Sequence, residues 1–224
     1  HNLLVLFQQD DFEAALREIS RFPARVAVNP LFSFLYNTHD MVRWRAVTAM
    51  GIVVANLAVQ ERESARVVMR RFLWNLNDES GGIGWGSPEA MGEIMARSGW
   101  LAEEYAELMV SYMMPEGNFL EHPMLQRGLL WGVGRLAHAR PAVIAGAAAY
   151  LPPFLRSSDP VHRGLAAWGC GALGTGAAAG RLAQMQGDRS PLQLYEGLQL
   201  VDYSVGDLAA LALARIKALR GRSA

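Results

Sequence analysis

Apolar residues recur three and four positions apart along most of the chain, the period of helices that bury one face. Phe12, Leu16 and Ile19 follow Asp11, a capping residue type, and predict a helix over residues 12–20. Asn29 before Pro30 predicts a short helix to residue 36, with the proline in the first turn, where its missing N–H costs nothing. Asp40 opens a long helix to about residue 59. The next, over 61–76, aligns Ala65, Val68, Met69, Phe72 and Leu76. Ser87-Pro88-Glu89 starts a helix to about residue 97, and another covers 101–113. His122-Pro123 and Asp159-Pro160 open two more. Most connections are short, which sets neighbouring helices antiparallel.

The pattern changes near the C-terminus. Leu192, Leu194, Leu198 and Leu200 alternate with polar residues around the turn pair Glu196-Gly197, predicting a β-hairpin over about 191–202. Ser204 and Asp207 form a capping box for a last helix over about 205–219, with residues 220–222 fraying.

The stretch from His122 to Leu136 repeats as Asp159 to Leu173, with Pro, Trp-Gly-x-Gly and Leu in register at an offset of 37 residues. Asp40 to Gly51 is a looser copy. A period of this length built from helices marks a solenoid. Glycine inside a helix costs about 1 kcal/mol relative to alanine, so the repeated glycines predict close approach of stacked helices.

On these residues the chain resembles HEAT-like repeat proteins. The matching positions are Asp40, Val42, Arg43, Ala46, Val47, Ala49, Met50 and Gly51, with Asp159-Pro160-Val161 leading into Ala166-Ala167-Trp168-Gly169. More narrowly, Arg70-Arg71 and the run from Asn77 through Gly86 to Pro88-Glu89 resemble an uncharacterised bacterial HEAT-like family. That resemblance implies an armadillo-type fold and supplies no reaction. The expectation is all-α: a right-handed HEAT-like α-solenoid of roughly five helix pairs, one domain over 1–224, with a small C-terminal hairpin.

Composition narrows the options. Apolar types make up 51% of 224 residues, enough for a substantial core, and the formal net charge is zero. A broad electrostatic grip on nucleic acid needs a basic excess. Yet charge is segregated: +2 over residues 1–71, −8 over 72–126 and +6 over 127–224. Arg43, Arg45, Arg66, Arg70 and Arg71 could form a basic strip of the kind DNA-alkylation-repeat glycosylases, also HEAT-like, carry on a concave face. The acidic centre argues against that partner and for ion pairs with the strip. Cys170, the only cysteine, excludes a disulfide framework and reads as core. No stretch reaches the roughly 18–20 uninterrupted apolar residues of a membrane span, and the N-terminus lacks a basic leader, so a cytoplasmic location is expected.

Residues 75–93 stand out chemically. Asn75, Asn77, Asp78, Glu79 and Ser80 end one helix, four glycines with Ile83 and Trp85 follow, and Glu89 and Glu93 share a face of the next helix. Four glycines are entropically costly to order, so something should hold the loop. Its order matches no phosphate-binding fingerprint, and its acids would repel an anion. Asp78, Glu79, Glu89, Glu93 and Glu121 with His122 offer metal-ligand types but no Glu-x-x-His pairs; no metal or other cofactor is expected. Ser80 lacks a nucleophile elbow. Trp44, Trp74, Trp131 and Trp168 read as inter-repeat core, Trp85 as plug or platform, and the histidines as caps or surface groups. The leading expectation is a binding scaffold that takes a protein segment or small polar ligand through Arg70, Arg71, Asn77, Asp78, Glu79, Trp85, Glu89 and Glu93. The alternatives are an enzyme with Glu89 or Asp78 as general base in an acidic pocket, and a nucleic-acid binder.

Overall fold

The computed structural model describes residues 3–77 and 84–221. Its helices are α1 (Leu3–Phe7), α2 (Phe12–Ile19), α3 (Ala24–Phe34), α4 (Asp40–Gln60), α5 (Arg62–Asn77), α6 (Ser87–Arg97), α7 (Gly99–Ser111), α8 (Pro123–Ala139), α9 (Pro160–Leu173), α10 (Ala179–Met185) and α11 (Val205–Gly221). A hairpin, β1 (Pro191–Glu196) with β2 (Gln199–Ser204), precedes α11. The protein is an α-solenoid. Helices α4, α6, α8, α9 and α11 stack in turn as one layer, and α5, α7 and α10 form part of a second layer behind them.

The caps act as the sequence predicts at several ends. Asp11 accepts from the Ala14 N–H, Asp159 from Val161 and His122 Nδ1 from Met124. Ser204 and Asp207 satisfy each other's backbone N–H groups reciprocally. Two details differ. Helix α3 begins at Ala24, so Pro30 lies inside it and Asn29 is no cap. Burial of Ala27, Leu31 and Phe32 carries the helix through the proline, and Asn29 Oδ1 instead accepts from Arg71. The hairpin turn is Gly197-Leu198, one residue later than expected, because Glu196 pairs with Gln199; both turn residues have positive φ. Between α8 and α9, where a second repeat helix would lie, the chain forms 3-10 turns at Ala145–Ala149 and Pro152–Arg156.

Helix α4 is long and apolar enough to cross a membrane, but 67% of its most apolar stretch is buried by its neighbours. Close packing of the front layer depends on glycine. A Cβ on Gly92 would collide with the Gly132 backbone, and one on Gly132 would meet the Pro88 carbonyl at 2.5 Å. Trp168 lies against Gly134 in the same way. The repeated Trp-Gly-x-Gly is thus a packing device: its glycines admit the neighbouring helix and its tryptophans fill what remains. Cys170 is buried, and burial pushes its thiol up to about 12.

Candidate functional site

One face of the front layer carries a row of aromatic side chains edged by charged ones. Trp44 of α4 meets Trp131 of α8 at 4.6 Å between ring centroids, and Trp131 stacks towards Trp168 of α9 at 6.5 Å. Trp168 in turn stacks on His138 at 4.6 Å. The guanidinium of Arg43 lies over the Trp44 ring, and Arg215 Nη1 is 3.1 Å from His138 Nδ1. An aromatic row therefore joins side chains of three helices, α4, α8 and α9, with an arginine at each end.

The hairpin docks on this row. Tyr195 stacks on Trp44 at 4.9 Å and 10°, its hydroxyl lies 3.0 Å from Thr48 Oγ1, and Trp131 Nε1 donates to the Tyr195 backbone carbonyl at 3.0 Å. Burial holds the Tyr195 hydroxyl up at about 12, so it stays a neutral phenol. Two hollows remain beside the hairpin. One, of about 340 Å³, is lined by Glu93, Arg97, Trp131, Arg135, Trp168 and the hairpin tip. Another, of about 480 Å³, shares His138, Trp168 and Glu196 with the first and continues along Leu208, Leu211 and Arg215 of α11. Burial first, and Arg215 second, push His138 down to about 4, so its imidazole is neutral near pH 7.

Glu93 organises the first hollow. Arg97 Nε donates to one carboxylate oxygen and Arg135 Nε to the other, each at 2.6 Å. Gly51 of α4 leaves the space that the Glu93 chain occupies. One turn earlier, Glu89 is buried against Gly128, 3.6 Å from Arg43. Burial raises the Glu89 carboxyl, with Arg43 pulling the other way, and its Oε2 has no hydrogen-bond partner among the described residues. Beyond Arg43 lies a third hollow of about 430 Å³, walled by Leu35, Tyr36, Trp85 and Met124.

The residues expected to form one loop site occupy separate places. Asp78 and Glu79, with Ser80 and residues 81–83, lie outside the described residues. Trp85 reaches the third hollow and sits 5.8 Å from the His122 ring. Described loop glycines are held: Gly84 packs on the Asn75 carbonyl, and Gly86, at φ 72°, on Leu35. Glu89 and Glu93 do share a face of α6, as their spacing requires, but each is matched by arginine. Arg70 pairs with Glu63, Arg71 lies over Phe32, and Asn77 accepts from Tyr112, all away from the aromatic row. The expected basic strip is divided as well. Arg45 donates to the Phe7 and Gln9 carbonyls, and Arg66 binds Glu104. Among the described residues, no three histidine, cysteine or acidic side chains converge as metal ligands.

Three tryptophan and histidine expectations need correction. Trp74 is 73% exposed, because α5 buries Val68, Met69 and Phe72 and Trp74 falls on the opposite side. His162 is buried between Ser157 Oγ and the Pro123 carbonyl. His138 is part of the aromatic row. Arg97, Arg135 and Tyr195 were not singled out from the sequence, although Trp131, Arg135 and His138 follow one another at spacings of four and three, a mixed aromatic and polar stripe.

A family model described as HEAT-like repeat matches residues 123–173, the span of α8, the 3-10 turns and α9. No curated protein matches the chain. Several engineered proteins of known structure share its architecture. One aligns at 16% identity over 96% of this chain and 95% of its own, with a TM-score of 0.55. A designed armadillo repeat protein aligns at 15% over 96% and 98%, TM-score 0.51. Another, solved in complex with the peptide (KR)4, aligns at 16% over 96% and 98%, TM-score 0.54. The fold is that of a HEAT-like, armadillo-type α-solenoid.

Proposed function

We propose that this chain is a peptide-recognition module whose binding surface is the aromatic face of the front layer. The observation that carries this function is the docked hairpin. Tyr195 lies on the face in an extended strand, its ring stacked on Trp44 and its carbonyl held by Trp131 Nε1. A surface that binds an extended segment of its own chain through aromatic stacking and an indole donor has the chemistry to bind another. Two adjoining hollows beside the hairpin leave room for one. A fold-level relative carries a basic peptide; here Arg43, Arg97, Arg135 and Arg215 border the face, so an acidic or carboxylate-bearing segment suits it better.

The loop belongs to this function through Trp85, which walls the hollow beside Arg43. The narrower likeness to a bacterial HEAT-like family, centred on residues 77–89, would then reflect a shared recognition loop. On this basis the chain is one cytoplasmic binding domain with a protein partner. Burial of Glu89 favours an enzyme instead, but its carboxylate lies under Arg43 and lines none of these three hollows.

Selection from a random displayed-peptide library tests the function. Wild type should enrich acidic sequences whose affinity falls about tenfold or more in Trp85→Ala and in Arg135→Gln. Absence of enrichment, or enriched peptides that bind both variants unchanged, would overturn it.

A further inference from the structure

We infer that the hollow between Arg97, Arg135 and the hairpin tip binds the carboxylate end of an N-acylated amino acid, presented either as a peptide C-terminus or as a small N-acyl amino acid. This rests on the recognition face proposed above and names what its most polar hollow takes.

Both arginines use only Nε to hold Glu93, one per carboxylate oxygen. Their terminal Nη1 and Nη2 groups make no hydrogen bond to any described residue, and the side chains stay 31% and 29% exposed while Glu93 is 4% exposed. Two cations thus share one buried anion. The pairing fixes the orientation of two guanidinium groups and leaves their outer edges free, the arrangement that receives a second carboxylate through paired N–H donors. A single surface arginine would have to give up side-chain freedom on binding; here Glu93 has already ordered both.

Two further features select more than a bare anion. Glu196, which accepts from Tyr203 Oη at 2.5 Å, lines the same hollow and provides an acceptor for a ligand N–H. Its charge disfavours simple polyanions. Trp131 and Trp168 supply flat apolar walls. A carboxylate for the arginines, an amide N–H for Glu196 and an apolar side chain against the indoles together describe a terminal N-acyl residue. About 340 Å³ is within the usual range for a small-ligand site.

Isothermal titration with N-acetylphenylalanine, its primary amide, and a capped octapeptide ending in phenylalanine as free acid or amide tests the assignment. Either acid should bind and quench tryptophan emission, with its amide bound at least about tenfold more weakly. Binding by the free amino acid derivative points to a metabolite-like source, and binding by the octapeptide acid alone points to a peptide terminus; both support the site. Arg135→Gln should weaken the acid at least about tenfold, and Arg70→Gln, behind the face, should not. Should Arg135→Gln unfold, Arg135→Lys keeps the charge without the fork and should still bind the acid more weakly than wild type. Equal binding of acid and amide, or no binding by either acid, would overturn the inference. Library-selected peptides that bind irrespective of their C-terminal group would preserve peptide recognition while removing this site from it.

Discussion

Arg135 of α8 donates from Nε to Glu93 Oε2 of α6 at 2.6 Å, joining consecutive helices of the front layer across the floor of a hollow. Arg97 completes the pair from α6 itself. Their common carboxylate is almost fully enclosed, so the cost of removing it falls on two guanidinium groups that then have no anion.

Glu93→Ala should therefore destabilise the protein by about 2 kcal/mol, below the usual cost of breaking a buried ion pair because the arginines keep access to water. Urea denaturation measures this directly. A change within error would mean that solvent fully replaces the carboxylate.

Glu89 should behave in the opposite sense. Its carboxyl is raised by burial, so its contribution to stability is present below the ordinary carboxylate pKa and is lost as pH rises through the folded value. Above the ordinary carboxylate range the unfolded chain releases a proton that burial makes the folded protein hold more tightly, and Arg43 offsets only part of that cost. Glu89→Gln should raise the melting temperature at pH 8 and change it less at pH 4.5, as differential scanning fluorimetry would record.

His138 sets the acid limb. Its folded pKa of about 4 lies below the unfolded value near 6.5. Between those values the unfolded chain takes up a proton that the folded protein refuses, so this contribution is lost as pH falls from about 6.5 to 4. Arg215 from α11, Arg135 from its own helix and the Trp168 stack from α9 all face the ring. His138→Phe, which keeps a ring on Trp168, should flatten the melting-temperature profile across that window.

Two glycine-to-alanine substitutions should differ in sign. Gly92→Ala forces a methyl into the Gly132 backbone and should cost about 1–3 kcal/mol despite better helix propensity. Gly180→Ala, in α10 with nothing near a Cβ, should be neutral or stabilising by up to about 1 kcal/mol. Chemical denaturation of both, side by side, checks the close-approach explanation of the repeat glycines.

Much of the architecture was legible in the chain because caps and periodicity are local. Asp11, Asp159 and the Ser204–Asp207 box act where the sequence puts them, and the 37-residue repeat falls on adjacent, stacked helices. Pro30 misled because tertiary burial of Ala27 and Leu31 outweighs a local start signal. The site was less legible for a different reason. Glu89 and Glu93 share a face as their spacing requires, but Arg43 comes from α4 and Arg135 from α8, and Tyr195 reaches Trp44 from about 150 residues away in sequence, pairings that follow only from the order of stacking. Trp74 and Trp131 look alike in a helical pattern; which side faces a neighbour separates them.

The indole N–H resonances of the six tryptophans test the recognition face most directly. On titrating a library-selected peptide into isotope-labelled protein, the signals of Trp85, Trp131 and Trp168 should shift, while those of Trp74 and Trp100, on α5 and α7 behind the face, should stay in place. Shifts confined to Trp74 and Trp100, with Trp131 and Trp168 unmoved, would contradict the account.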